Sequence, residues 1–279
     1  MNPEIIKSEL ESCFGVGFEI NYKRLPDREE IISKPVDFIK NKGFSIISTV
    51  RWLNLDSELK FDHFAGDIME DIMKNHLDKV GIMIDSLKLM VQENEALNLS
   101  ADIGGIPISE VSGEFDLTKL NIKIESNNLD LSNHPAEKYI VEHQKIILGL
   151  ILLLFDLEEV VPGENRDIEG MPEGGKIKVE INKYERNRIN RQTCLNYHGY
   201  NCKVCGFNFE SYYGNIGVNY IHVHHLKPVS SIGADYKINP LRDLVPICPN
   251  CHSMIHRSNP PYSVSALKRT LKKQNNTGK

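Results

Sequence analysis

Two C-x-x-C motifs constrain the C-terminal part of this chain more than any other feature. They contribute four of its six cysteines, and 42 residues separate them. Two such turns supply the four thiolates of a tetrahedral zinc site with no position left open, so the sequence predicts a structural Zn²⁺ that holds the fold. An isolated redox C-x-x-C motif is the alternative, and the presence of two motifs disfavours it. The predicted ligands are Cys202, Cys205, Cys248 and Cys251.

Half of the ten histidines lie within or just after the segment between these motifs. Residues 220–226 and 244–248 have the β-branched and aromatic character of strands. Pro249 suits the first turn of a following helix, on which His252 and His256 would share one face. The pattern predicts a β-β-α unit in which strand histidines face helix histidines. The five residues are His222, His224, His225, His252 and His256.

The sequence IHVHHLKP at 221–228, followed by DLVPICPNCHSMIH at 243–256, resembles the His-Asn-His (HNH) endonuclease family, also called ββα-metal nucleases. The cysteine-framed form is similar to methylcytosine-specific restriction proteins and related predicted restriction endonucleases. The resemblance extends over about residues 172–273. It implies a C-terminal ββα-metal nuclease domain with a four-cysteine zinc site.

Matched by position, the resemblance implies a role for each residue of the predicted site. His225 would be the general base that activates water. His224, His252 and His256 would hold a catalytic divalent ion, Mg²⁺ or Mn²⁺, with His222 as an additional ligand or supporting residue. Asp243 stands where the family name expects Asn, and it would fix the loop that holds the base. A second zinc finger without catalysis is the alternative, although adjacent histidines suit a closed tetrahedral site poorly.

Charge is distributed unevenly along the chain. Residues 166–279 hold 17 Lys and Arg against 8 Asp and Glu, whereas residues 1–165 hold 16 against 30. The basic C-terminal part is therefore expected to meet a polyanion, with DNA as the partner. A second basic cluster, at 268–273, is equally well explained as a solvated helix face. The predicted DNA contacts are Arg186, Arg188, Arg191 and Lys227.

The N-terminal part is predicted to be an α+β domain of unknown fold. Asn2 and Pro3 indicate a first helix, with Ile5 and Leu10 as apolar contacts. Further helices are predicted at 65–76 and 136–157, and strands at 44–50 and 120–124. Trp52, the single tryptophan, is expected in the core. The predicted domains are a target-recognition or interaction domain at 1–160, a Pro- and Gly-rich linker at 161–175 and the nuclease domain at 176–279.

No stretch of the sequence resembles a signal peptide. The N-terminus has no basic region ahead of an apolar one, and the longest apolar run, at 146–155, is too short to span a bilayer. We therefore expect a cytoplasmic protein without membrane contact.

The sequence thus predicts a metal-dependent DNA endonuclease, a restriction or defence enzyme with modified DNA as a candidate substrate. A homodimer is expected, because one site cuts one strand. The alternative is a non-catalytic zinc-dependent DNA-binding protein whose N-terminal domain mediates protein interaction. An HNH effector toxin is a third hypothesis. Metal dependence and the loss of His225 distinguish catalysis from binding.

Overall fold

A computed structural model describes residues 1–36, 43–63, 65–93, 98–113, 115–155, 188–227, 237–258 and 260–277. The predicted linker and Arg186 lie outside these residues. Within the described ranges, no helix is both long and apolar enough to cross a bilayer.

The N-terminal domain is built on a seven-stranded sheet with the order β1-β2-β3-β4-β7-β5-β6. Every described pairing in it is antiparallel. Alternate residues of the central strands are buried, as period-two side-chain alternation requires when one face packs on helices. The strands are Phe18–Arg24, Glu29–Pro35, Phe44–Arg51, Asn54–Phe61, Leu99–Ile103, Ile106–Pro107 and Leu120–Ser126, for β1 to β7 in chain order.

Four helices complete this domain. The side chain of Asn2 accepts a hydrogen bond from the Glu4 N–H and caps α1, and Gly15 ends α1 in the left-handed conformation that glycine adopts without strain. α4 packs on the central strands β3 and β4, and α1 packs on α4. The helices are Pro3–Phe14, Gly66–Asn75, Leu77–Glu93 and Ala136–Ile151, for α1 to α4.

A network of hydrogen-bonded polar side chains, most of them buried, lies between the sheet and α4. Gln144 accepts a hydrogen bond from Ser33 (2.7 Å) and donates one to Ser48 (2.9 Å). The hydroxyls of Ser48 and Ser57 are 2.8 Å apart. His143 completes the network through Ser57 (3.2 Å) and Ser126 (2.8 Å). Each buried polar side chain of this network thus has a hydrogen-bond partner, which removes the free-energy penalty of an unsatisfied buried polar group. The residues are Ser33, Gln144, Ser48, Ser57, His143 and Ser126.

Among the residues described after 187, the C-terminal unit contains the two-stranded antiparallel sheet β8-β9 and four α-helices. Strand β8 is His222–His225 and β9 is Leu244–Ile247. Helix α7 follows β9 directly, so that these three elements form the predicted β-β-α unit. A small apolar core of its own includes Leu195, Ile221 and Ile247. The helices are Arg188–His198, Phe209–Tyr213, Pro249–Ile255 and Val264–Thr277, for α5 to α8.

Helix α5 belongs to both parts of the molecule. Ile189 is buried in the core of the N-terminal domain, whereas Leu195 is buried in the C-terminal core. Thr193 and Asn196 donate hydrogen bonds of 2.8 and 2.6 Å to backbone carbonyls of α4. The helix that opens the described C-terminal unit therefore packs directly on the N-terminal domain.

Several predictions for the N-terminal domain are confirmed, and two are wrong. The helices expected to begin near residues 3, 65 and 136 are present, and so are the strands expected to begin near residues 44 and 120. The helix expected at 136–157 ends earlier, at Ile151. Ile5 is half exposed, and Ile6 takes its place in the core. Trp52, expected in the core, is 90% exposed, because it lies in the tight turn between β3 and β4 with a φ of 53°. Side chains at the tip of a hairpin point away from the helices that cover the sheet.

Candidate metal centre and active site

The four predicted cysteines converge at one point. Their sulfur atoms all lie within 4.8 Å of one another, and the Sγ atoms of Cys205 and Cys248 are 3.8 Å apart. Tetrahedral zinc with Zn–S bonds of about 2.3 Å requires sulfurs separated by about 3.8 Å. Cys248 also begins α7, and its sulfur accepts a hydrogen bond from the Cys251 N–H. The cluster is therefore compatible with zinc, and it anchors the start of the helix that bears two histidines.

The thiols of this cluster require a cation if all four are to ionise. Burial acts to raise the pKa of Cys202, but backbone hydrogen bonds outweigh burial and bring that pKa to about 7. Burial and a hydrogen bond to Cys248 raise the pKa of Cys251. A bound metal removes this conflict, because a coordinating thiol is deprotonated. Cys13 and Cys194 are not members of the cluster.

Three histidines form a second cluster. The ligating ring nitrogens of His224, His252 and His256 lie within 4.8 Å of one another. His224 comes from β8, His252 lies in the last turn of α7, and His256 caps the end of that helix. The ring centroids of His224 lie 5.3 Å from those of both partners. Three convergent imidazoles fit a divalent ion and leave further coordination positions for water or substrate.

Burial favours the neutral form of the His224 imidazole. His224 is 8% exposed. Its burial, together with the neighbouring His252, His256 and His225, lowers the pKa of its imidazole to about 4. A neutral imidazole keeps the lone pair that a metal requires. His222 lies beside the cluster, with its ring centroid 5.5 Å from that of His252.

The backbone around His225 is fixed from two sides. His225 pairs with Leu244 in the β8-β9 ladder, and the Leu226 N–H donates to the Asp243 carbonyl at 2.8 Å. The buried carboxylate of Asp243 accepts from the Asn239 N–H at 2.8 Å. Its other oxygen lies 3.8 Å from the Lys227 ammonium. Asp243 therefore closes the loop that enters β9 and holds the end of β8 in place.

The basic residues predicted to contact DNA occupy different environments. The Arg191 guanidinium donates to the Ile221 carbonyl at 2.8 Å, and so it holds the start of β8. Arg188 is exposed and lies against Gly15, at the end of α1. Lys227 is exposed near Asp243. Phosphate contact by these three residues, and by Arg186, remains a prediction.

The sequence motifs did not predict a cluster of aromatic side chains that lies beside this site. Phe207 and Phe209 precede Tyr212 and Tyr213, and the ring of Phe207 contacts the other three. Tyr213 also contacts Phe209 and Tyr212. Tyr220 contacts Phe209 and also His222. The run FNFESYY at 207–213 is the sequence signal that could have identified the cluster.

Comparison with known proteins agrees with this geometry. Residues 202–258 match the HNH endonuclease family model. The chain is similar to the type IV methyl-directed restriction enzyme EcoKMcrA of Escherichia coli (strain K12), with 37% identity over 91 residues. That match covers 31% of this chain and 31% of the relative, so the chain spans about a third of the length of the curated relative. No solved structure matches the chain. The C-terminal part of this chain therefore contains an HNH endonuclease domain, which frames its three-histidine cluster with four cysteines.

Proposed function

We propose that this chain is a metal-dependent DNA endonuclease of the restriction or defence type that acts on modified DNA. The observation that supports catalysis most strongly is the convergence of His224, His252 and His256 beside His225, within the segment that matches the HNH family. The similarity to a methyl-directed restriction enzyme supports modified DNA as the substrate class. The N-terminal domain would choose the target.

Two metals with separate tasks are part of the proposal. Zn²⁺ would occupy the four-cysteine site, where it contributes stability and no chemistry. Mg²⁺ or Mn²⁺ would occupy the histidine site. When bound there, the divalent ion supplies Lewis-acid stabilisation of the negative charge that develops on the phosphate. The site has the required donors, since three imidazoles from two elements converge in it.

The chemistry of the chain itself centres on His225. Its imidazole would take a proton from the attacking water, as general-base catalysis requires. The ladder pair with Leu244 and the Leu226 hydrogen bond to Asp243 keep the end of β8 in one place. Arg191 holds the other end through Ile221. Catalysis depends on the position of the base. Asp243 and Arg191, which hold the two ends of β8, would therefore be positioning residues.

Two further parts of the proposal follow from the chemistry. A single site hydrolyses one strand, so cleavage of both strands requires two sites, and we propose a homodimer. Thiol ligands persist in reducing compartments, which favours a cytoplasmic location. Sedimentation of the purified protein tests the dimer directly.

The test of catalysis uses plasmid DNA, methylated and unmethylated, with Mg²⁺, Mn²⁺ or a chelator. We expect cleavage that requires the metal and falls by at least about 100-fold in a His225→Ala variant, the size typical of a general base. His134→Ala is the matched control, because His134 is an exposed histidine of the N-terminal domain. A protein that retains zinc and binds both plasmids, yet cuts neither with any metal, would instead be the non-catalytic DNA-binding protein.

A further inference from the structure

An open groove lies beside the four cysteines of the C-terminal unit. Its volume is about 550 Å³, within the range of pockets that bind small molecules. One part of its lining is the aromatic cluster, and another part comes from Leu267 and Leu271 of α8. The rest of the lining comes from α7 and from the four-cysteine cluster, through Asn250, Met254, Pro249, Cys205, Cys248 and Cys251. The aromatic members are Phe207, Phe209, Tyr212, Tyr213 and Tyr220.

The tyrosines of this groove are unusually exposed. Tyr212 is 70% exposed, Tyr213 51% and Tyr220 49%. Their rings nevertheless contact one another or the two phenylalanines at centroid distances of 4.7 to 6.3 Å. A contiguous aromatic surface left open to solvent is typical of a binding site. Such rings bind flat, partly polar groups by stacking, and their hydroxyls remain available for hydrogen bonds.

The charge beside the groove favours an anionic ligand. Helix α8 supplies Leu267 and Leu271 to the lining, and its sequence contains four cations and no acidic residue. All four cations are exposed. Aromatic rings flanked by lysine and arginine are the combination that binds unpaired nucleic acid, through base stacking and phosphate contact. The cations are Lys268, Arg269, Lys272 and Lys273.

The groove also lies next to the candidate active site. The ring centroid of Tyr220 lies 6.1 Å from that of His222, which lies 5.5 Å from that of His252. A DNA strand that meets the histidine cluster therefore passes close to the open tyrosines. This proximity favours a nucleic-acid ligand over an unrelated protein partner.

We propose that the groove binds an unpaired or extruded nucleobase of the DNA substrate. The base stacks on Tyr212 and Tyr213, and the cations of α8 contact the neighbouring phosphates. The proposal rests on DNA being the ligand, as in the proposed function, and it names the groove as a second point of recognition. A fully paired duplex offers no free base face, so binding should favour DNA with an unpaired position.

Fluorescence of 2-aminopurine tests the proposal with the full-length protein. The probe is placed at an unpaired position of a duplex, or in the same duplex fully paired, without added divalent ion. We expect the wild-type protein to quench the unpaired probe by stacking. Tyr212→Ala and Tyr213→Ala should each weaken binding of that DNA about tenfold, the scale of one lost stacking contact. Tyr212→Phe should retain the quenching because it keeps the ring.

Tyr262→Ala is the matched control, since Tyr262 is exposed in the same unit but does not line the groove. Equal quenching and affinity in the wild type and both alanine variants would overturn the proposal. A change in oligomeric state with unaltered DNA binding would also overturn it, by showing that a second copy occupies the groove. Plasmid cleavage is measured separately. Cleavage that persists while the tyrosine variants behave as wild type refutes the groove and leaves the nuclease intact.

Discussion

Acid should destabilise the N-terminal domain through His143. Its ring is buried between the sheet and α4 and lies between the hydroxyls of Ser57 and Ser126. Burial lowers the pKa of this imidazole from 6.5 to about 4, and the charge of Asp56 opposes the change only in part. The unfolded chain therefore binds more protons than the native protein at a pH between these values. Stability falls as the pH falls through this window, and the fall stops below the folded-state pKa.

The expected size follows from the two pKa values. At pH 5, protonation of the unfolded form favours unfolding by about 2 kcal/mol relative to pH 7. Urea unfolding at pH 7, 6 and 5, followed by far-UV circular dichroism, measures the free energy of unfolding of the wild type and of His143→Gln. The variant removes the titrating ring, so its loss of stability over this range should be smaller by about 2 kcal/mol. Parallel pH dependence in the two proteins would refute the reasoning, whatever their absolute stabilities.

Four further substitutions test local geometry. Gly217→Ala should destabilise the C-terminal unit by more than about 2 kcal/mol in urea unfolding, because its Cβ would lie 2.2 Å from the Phe209 carbonyl oxygen. Gly81→Ala meets nothing within 4 Å and should be neutral or stabilising, and a loss there would contradict the comparison. Arg191→Met should lower stability by about 2 kcal/mol through the lost bond to the backbone ahead of β8; an unchanged stability with a shallower salt dependence of DNA binding would instead assign it to phosphate contact. Trp52→Ala should alter thermal stability by less than about 0.5 kcal/mol, since the side chain is 90% exposed, and a larger loss would show that the ring packs on the domain.

The site was predictable because its chemistry is local in the sequence. The spacing of Cys248 and Cys251 fixes a turn, Pro249 starts a helix, and the interval from His252 to His256 is one helical turn. These relations hold whatever surrounds them. His224 could be placed opposite that pair because strand alternation decides the face on which it lies.

The remaining features depend on contacts that are distant in sequence. The buried partners of His143 come from strands far from α4, and periodicity within one element says nothing about them. Arg191 is a residue type that commonly contacts phosphate, yet its guanidinium donates a hydrogen bond to a backbone carbonyl thirty residues away. Trp52 was misplaced because hydrophobicity was weighed without the turn that contains it. Non-local packing decides each of these cases.

Helix α5 has a consequence for how such enzymes can be recombined. One of its faces closes the N-terminal core through Ile189, and another closes the core of the C-terminal unit through Leu195. Thr193 reaches the backbone of α4 from the same helix. A chimaera that exchanges the N-terminal domain for that of another protein with an HNH domain, with its junction before residue 188, would carry a C-terminal unit in which α5 has lost the domain on which it packs. The junction of such a chimaera should therefore lie within α5, or the chimaera should retain the surface of α4 on which α5 packs.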